Sequence, residues 1–153
     1  MSAEKIQLVS ALLLAISCSF MTAVSMVVGM LHYPTFREVS SNNWCLFHKS
    51  HCQKMGYIVI FPMLLQLASS ITFSITNVDQ TSTQWHWINV VCLIFSFGFT
   101  FAFSAPLHSK LSNSFNSENL NLLIKTNIIR TTFWFIHSLM AISFVLSQML
   151  LIK

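Results

Sequence analysis

The sequence predicts an all-α fold: an integral membrane four-helix bundle, up-down-up-down, forming a single transmembrane domain over residues 1–153. Three observations predict it. Apolar residues make up 54% of the chain and charged residues only 8%. Soluble domains carry roughly one-quarter charged residues, so lipid is the expected solvent. Four runs, at about 8–31, 55–78, 85–107 and 131–152, contain no Asp, Glu, Lys or Arg. Each is long enough to cross about 30 Å of hydrocarbon at about 1.5 Å per residue. The basic residues, finally, gather in alternate connections, as expected of a chain that crosses a bilayer an even number of times.

The first run is longer than the apolar stretch of a signal peptide, and no small-residue cleavage pattern follows it, so it is expected to be a permanent span. The connection after it, about 33–54, has no Pro or Gly from Ser41 to Lys54. Asn42 or Asn43 is therefore expected to cap a helix that leads into the second span. A tight turn at 77–83 then makes the second and third spans antiparallel neighbours. The third connection, 108–130, has room for extra helical turns, and a helix starting at Ser117 and Glu118 is expected to run straight into the fourth span.

Each span carries small or polar residues at helical spacing: Thr22, Ser25, Gly29 and His32; Met55, Pro62, Gln66 and Ser69; Asn89, Ser96, Thr100 and His108; Asn127, Arg130, Trp134 and His137. Membrane helices pack through such residues, so the stripes are expected to face one another.

The net charge of +4 does not mark a nucleic-acid binder, because the cations are dispersed rather than gathered in a basic patch with interleaved aromatics. Arg37, Lys49, Lys54, Lys110, Lys125 and Arg130 lie on one side, leaving Lys5 and Lys153 for the other. The positive-inside rule makes the first side cytoplasmic and places both termini outside the cytoplasm. Trp44, Tyr57, Trp85 and Trp87 lie near span ends, where amphipathic rings prefer the interface. In a cytoplasm-facing connection Cys45 and Cys52 are expected to stay reduced, and Cys18 and Cys92 read as small interior residues.

The same topology brings His32, His48, His51 and His108 to one face of the membrane, together with Asn127 and Arg130. His48 and His51 lie one helical turn apart, a spacing compatible with one metal or with haem-like axial positions. With His32 and His108 they form a nitrogen-rich set suited to copper, iron or zinc. Histidines also serve as plain interface anchors, and that alternative stands beside the metal. Cys45 and Cys52 flank the pair as weaker candidates, and His86 reads as an anchor on the opposite side. Arg130 cannot shed its charge and must find acceptors. These are either a loop carboxylate, Glu38 or Glu118, or the carboxylate, phosphate or quinone-type oxygen of a lipophilic ligand, with Asn127 and Trp134 completing the binding site.

In order along the chain, His32-Tyr33-Pro34-Thr35-Phe36, His48 with His51, Pro106-Leu107-His108 and the segment from Asn127 through Arg130 to Trp134 carry a resemblance. The chain resembles an uncharacterised bacterial family of small four-span proteins with HYPxF, HxxH, PxHxxL and NWxRTxxW signatures. More distantly it is similar to anthrone-oxygenase-like small membrane proteins. The resemblance implies the four-span architecture and covers nearly the whole chain. Ile128 stands where the pattern has Trp, and His137 where a second basic residue is expected, which makes His137 a poor candidate for a shared role.

Three functions follow as expectations. The first is a metal- or haem-dependent redox or oxygenase-like protein acting on a lipophilic small molecule. The second is a small transporter or channel subunit, for which a polar seam should run continuously from Asn89 to His108. The third is an accessory subunit of a homo-oligomer or larger membrane complex. A pocket closed at the level of Gln66 would favour a site over a path.

Overall fold

The structure, a computed structural model, describes residues 2–76 and 83–151. It is built from four long helices, α1 (Ala3–Glu38), α2 (Trp44–Ile75), α3 (Thr83–Asn113) and α4 (Ser117–Leu151), and there is no strand among the described residues. All four are long and apolar enough to cross a membrane. The turn expected at 77–83 lies outside the described residues, save for Thr83.

Every helix overruns the apolar run that predicts it. Nothing between Trp44 and Lys54, or between Ser117 and Arg130, breaks a helix, so α2 and α4 start well before their uncharged runs. Asn43 takes the N-cap position of α2 but makes no side-chain cap bond. The start of α2 is held instead by Trp44, which is buried and donates from its indole Nε1 to Leu111 O at 2.6 Å.

α1 packs against α2 and α4, and α3 closes the ring against α4 and, less extensively, α2. The interior is layered. Val28, Tyr33, Phe36, Trp44, Leu107 and Leu111 fill one end together with Leu120 and Leu123. Met21, Met63 and Trp134 form the next layer, and Leu14, Cys18, Met140 and Ala141 lie beyond them. Hydroxyl and amide pairs stitch the helices: Ser19 to Ser138 at 2.7 Å, Ser25 to Asn127 at 3.0 Å, and Asn89 Nδ2 to Ser70 O at 3.1 Å. The polar stripes do face inward, since Thr22, Ser25, Gln66, Ser69, Asn89, Ser96, Asn127 and His137 are all buried. The outer faces carry large exposed apolar residues such as Ile16, Leu31, Phe61, Ile94 and Leu146.

Two helices contain a widened π turn: α1 at Val28–His32 and α3 at Thr100–Ser104. Each ends two residues before a proline, Pro34 and Pro106. Proline has no N–H to give and its ring crowds the carbonyl four residues back; closing the turn one residue further, as Tyr33 N–H does on Val28 O and Ala105 N–H on Thr100 O, accommodates both. Such bulges are frequent at functional sites. Here both line the same cavity.

Candidate metal centre and cavity

At the end of the bundle that holds the first of these layers, α2 presents His48, His51 and Cys52 on successive turns of one face, and α3 presents His108 and Ser112 opposite them. His48 Nδ1 lies 2.9 Å from Ser112 Oγ, and His108 Nε2 lies 3.2 Å from the Tyr33 hydroxyl. Each imidazole is thus held by one nitrogen on a hydroxyl. The other two nitrogens, His48 Nε2 and His108 Nδ1, lie within hydrogen-bonding distance of each other at 3.3 Å. Cys52 Sγ stands 3.7 Å from His108 Nδ1 and 3.6 Å from His48 Nδ1. With one ligand atom taken from each, His48, Cys52 and His108 lie within 4.8 Å of one another and form a group that could hold a metal ion.

These distances can be set against coordination geometry. Two nitrogens at about 2.0–2.1 Å from a tetrahedral ion stand about 3.4 Å apart, and a sulfur at about 2.3 Å stands about 3.6 Å from either. The nitrogen–nitrogen separation and the separation of Cys52 Sγ from His108 Nδ1 match, while the 3.6 Å from Cys52 Sγ to His48 is to Nδ1, the nitrogen that Ser112 holds. The second requirement, that the far nitrogen of each ligating histidine be hydrogen-bonded, is met by Ser112 and Tyr33. A hydroxyl donates or accepts, so both partners serve whichever tautomer the ring adopts. Trp44 stacks on His48 with ring centroids 5.1 Å apart, and the edge of Phe36 lies against both His48 and His51, so the rings are clamped by aromatic contacts.

The four histidines expected to converge are divided. His48 and His108 face one another, whereas His51 Nδ1 is engaged by His32 Nε2 at 2.8 Å and its ring centroid is 5.7 Å from His108 and 6.0 Å from His48. His32 reaches the group only through His51. The place expected of a third imidazole is taken by Cys52, four residues after His48 on the same helical face. Cys45 lies apart, donating to Asn113 O at 3.2 Å, and all four cysteines are free thiols.

A cavity of about 330 Å³ opens from this centre toward the bundle axis, lined by His51, Cys52, His108, Tyr33, Arg130 and Trp134 among largely apolar neighbours. Arg130 turns inward. Its Nη2 donates to Asn127 Oδ1 at 2.7 Å, and its guanidinium carbon lies 5.0 Å over the Trp134 ring. The Tyr33 hydroxyl is close enough to interact with both the guanidinium and His108. Among the described residues Arg130 makes no ion pair with a carboxylate, so neither Glu38 nor Glu118 is its counter-ion. Asn127 also donates from Nδ2 to Ser25 O at 3.1 Å and accepts from Ser25 Oγ. That close approach requires Gly29, where an added Cβ would meet Asn127 Nδ2 at 2.5 Å.

Beyond Trp134 the interior is closed by a second polar network. The indole of Trp134 can only donate, and it does so to Gln66 Oε1 at 3.0 Å. Gln66 Nε2 therefore donates to His137 Nδ1 at 3.1 Å, which leaves the His137 proton on Nε2, donating to Asn89 Oδ1 at 2.7 Å. Asn89 Nδ2 then donates to Ser70 O and Ser74 Oγ. Gln66, Asn89 and His137 are all 0% exposed. His137, set aside on the motif pattern, is thus the hub of a sealed layer.

Compared with protein-family models, with curated proteins and with solved structures, the chain matches none.

Proposed function

We propose that the chain is a multi-pass membrane protein that binds one soft transition-metal ion through His48, His108 and Cys52 and uses it for redox, oxygenase-like chemistry on a lipophilic molecule held in the adjoining cavity. The observation that carries the reading is the pair of tethered imidazoles whose second nitrogens face each other at 3.3 Å with a thiol beside them. Two nitrogens and a thiolate suit copper or zinc better than iron. Copper is the redox-active choice, since zinc has no accessible second oxidation state. Imidazoles on opposite faces of one haem iron would stand about 4 Å apart, so the spacing favours adjacent ligands on a single ion. The oxygenase-like part of the reading rests on the motif resemblance.

Elemental analysis of the purified full chain tests the reading: about one copper per chain is expected, released on acidification because protons compete for both imidazoles and the thiolate. A chain that holds no stoichiometric metal after loading, or holds only zinc, ends the redox proposal.

A transport path is disfavoured by the sealed layer of Gln66, His137 and Asn89, which interrupts the polar seam a path would need. The up-down-up-down crossing of a bilayer is supported by the order of the paired residues: Ser19 meets Ser138 while Ser25 meets Asn127, so α1 and α4 run in opposite senses. The six basic residues on the metal-centre side favour, by the positive-inside rule, a cytoplasmic location for that side and both termini outside it. A C-terminal reporter fusion should therefore be active only on the non-cytoplasmic side; activity confined to the cytoplasm would reverse the orientation.

A further inference from the structure

Beside the Tyr33 hydroxyl, which links it to His108, the cavity holds polar groups that the protein leaves unspent. Arg130 Nε is buried without a hydrogen-bond partner, and so is Ser104 Oγ, which lines the same cavity from the π turn of α3. Ser104 is only 2% exposed. Leaving a buried polar group unsatisfied costs about 1–3 kcal/mol, more for a charged one. Arg130 cannot relieve the cost by losing its proton, and among the described residues no carboxylate neutralises it. One cation, one spare N–H and one spare hydroxyl therefore face a space that is otherwise apolar, walled by Val24, Val28, Met55 and Val59. At the rim, Gly56 and Ala105 are both exposed and both small, which leaves the gap between α2 and α3 open toward the outer face of the bundle.

We propose that this cavity binds the carboxylate of a single-chain amphiphile, gripped by Arg130 and Ser104, with its tail leaving between α2 and α3 past Gly56 and Ala105. The planar guanidinium fork matches the two oxygens of a carboxylate, and a single cation matches its single charge. Trp134 beneath the guanidinium and Asn127 at its Nη2 hold it in place for the ligand. The inference deepens the proposed function by naming its substrate class; it rests on that reading for the reactive metal beside the ligand, while binding itself needs no metal.

The test is saturable binding of tritiated dodecanoate to the full chain in detergent, measured over empty micelles. Binding to one site is expected, displaced by unlabelled dodecanoate and not by dodecanol. Arg130→Lys should weaken it about tenfold or more and Ser104→Ala several-fold, by about 1 kcal/mol for each lost bond. His48→Ala, which removes a proposed metal ligand that does not line the cavity, should lose metal and keep dodecanoate. A parent chain that takes up no metal on loading yet binds dodecanoate sinks the metal reading and sustains this one; a metal-loaded parent that shows no saturable binding does the opposite. Competition by dodecanol as strong as by dodecanoate, displacement by dodecyl phosphate alone, or parent-like binding in both Arg130→Lys and Ser104→Ala overturns the carboxylate site. Ser104→Ala removes only a hydroxyl, so it reports on the site even where the arginine variant fails to fold.

Discussion

Purified His108→Ala should retain no stoichiometric metal, and Tyr33→Phe should bind metal about 10–100-fold more weakly than the parent while keeping its thermal stability. The two variants separate a ligand from the residue that aims it. His108 supplies one of the two facing nitrogens, and without it His48 and Cys52 are left as a pair from a single helix. Tyr33 touches the centre only through His108, its hydroxyl 3.2 Å from Nε2. Phenylalanine keeps the buried ring that packs on Phe36 with centroids 5.6 Å apart, so the loss is confined to one hydroxyl. That hydroxyl fixes the ring orientation and accepts the Nε2 proton when Nδ1 turns to a metal. Equilibrium titration against a chelator of known affinity measures the difference. Parent-like affinity in Tyr33→Phe would mean that Phe36 and the helix backbone alone orient the imidazole. Full metal retention in His108→Ala would place the ion elsewhere.

The four long helices were legible because a helix that faces lipid declares itself by what it lacks, and no other chain segment goes more than twenty residues without a charge. Their extensions were legible for a related reason: nothing from Trp44 to Lys54 or from Ser117 onward breaks a helix. The π turns were not read, although Pro34 and Pro106 mark both of them. A proline predicts that a helix must adjust, and only the packing decides whether it kinks, ends or widens. Within the site, His48 and His108 could be expected near one another because depth follows from counting along a helix, and they do face each other. Which imidazoles face each other does not follow from that count, since a difference of three residues turns a side chain by most of a right angle, and His51 points to His32 instead. Cys52 is a softer and less obvious ligand than the histidines, yet its spacing of four from His48 puts it on the same helical face. Ser104 has no distinctive pattern around it, and Tyr33 stands in the His32–Phe36 motif without anything in the sequence that gives its hydroxyl a role. The sealed layer was hidden most completely: Gln66, Asn89 and His137 come from three helices, and His137 looked anomalous because it was judged against a motif rather than against its neighbours.

That layer carries the largest expected effect on stability. Asn89→Leu should destabilise the chain by about 2–4 kcal/mol, measured by thermal unfolding in detergent. The estimate is built from single bonds: interhelical hydrogen bonds in membranes average about 0.6 kcal/mol and reach about 1.7, because the unfolded chain in lipid finds other partners. Asn89 makes four of them, to His137 Nε2, Ser70 Oγ, Ser70 O and Ser74 Oγ. Leucine keeps the branched outline but is larger, so no cavity forms and crowding in this fully buried layer adds to the polar loss. The chain of donors makes the effect directional. Trp134 fixes the amide of Gln66, Gln66 fixes the tautomer of His137, and His137 needs an acceptor at the Asn89 position; leucine offers none, and the Nε2 proton is stranded where no water reaches. Replacing Trp134 by Phe loosens the same chain from the other end, freeing Gln66 to turn its oxygen toward His137 and drive the opposite tautomer. In Asn89→Leu that opposite tautomer is the tolerable one, because it leaves a bare nitrogen rather than a proton against the leucine. The double variant Asn89→Leu with Trp134→Phe should therefore be less destabilised than the sum of the two single variants. Strict additivity would mean that the two residues act independently and that no proton order runs through the layer.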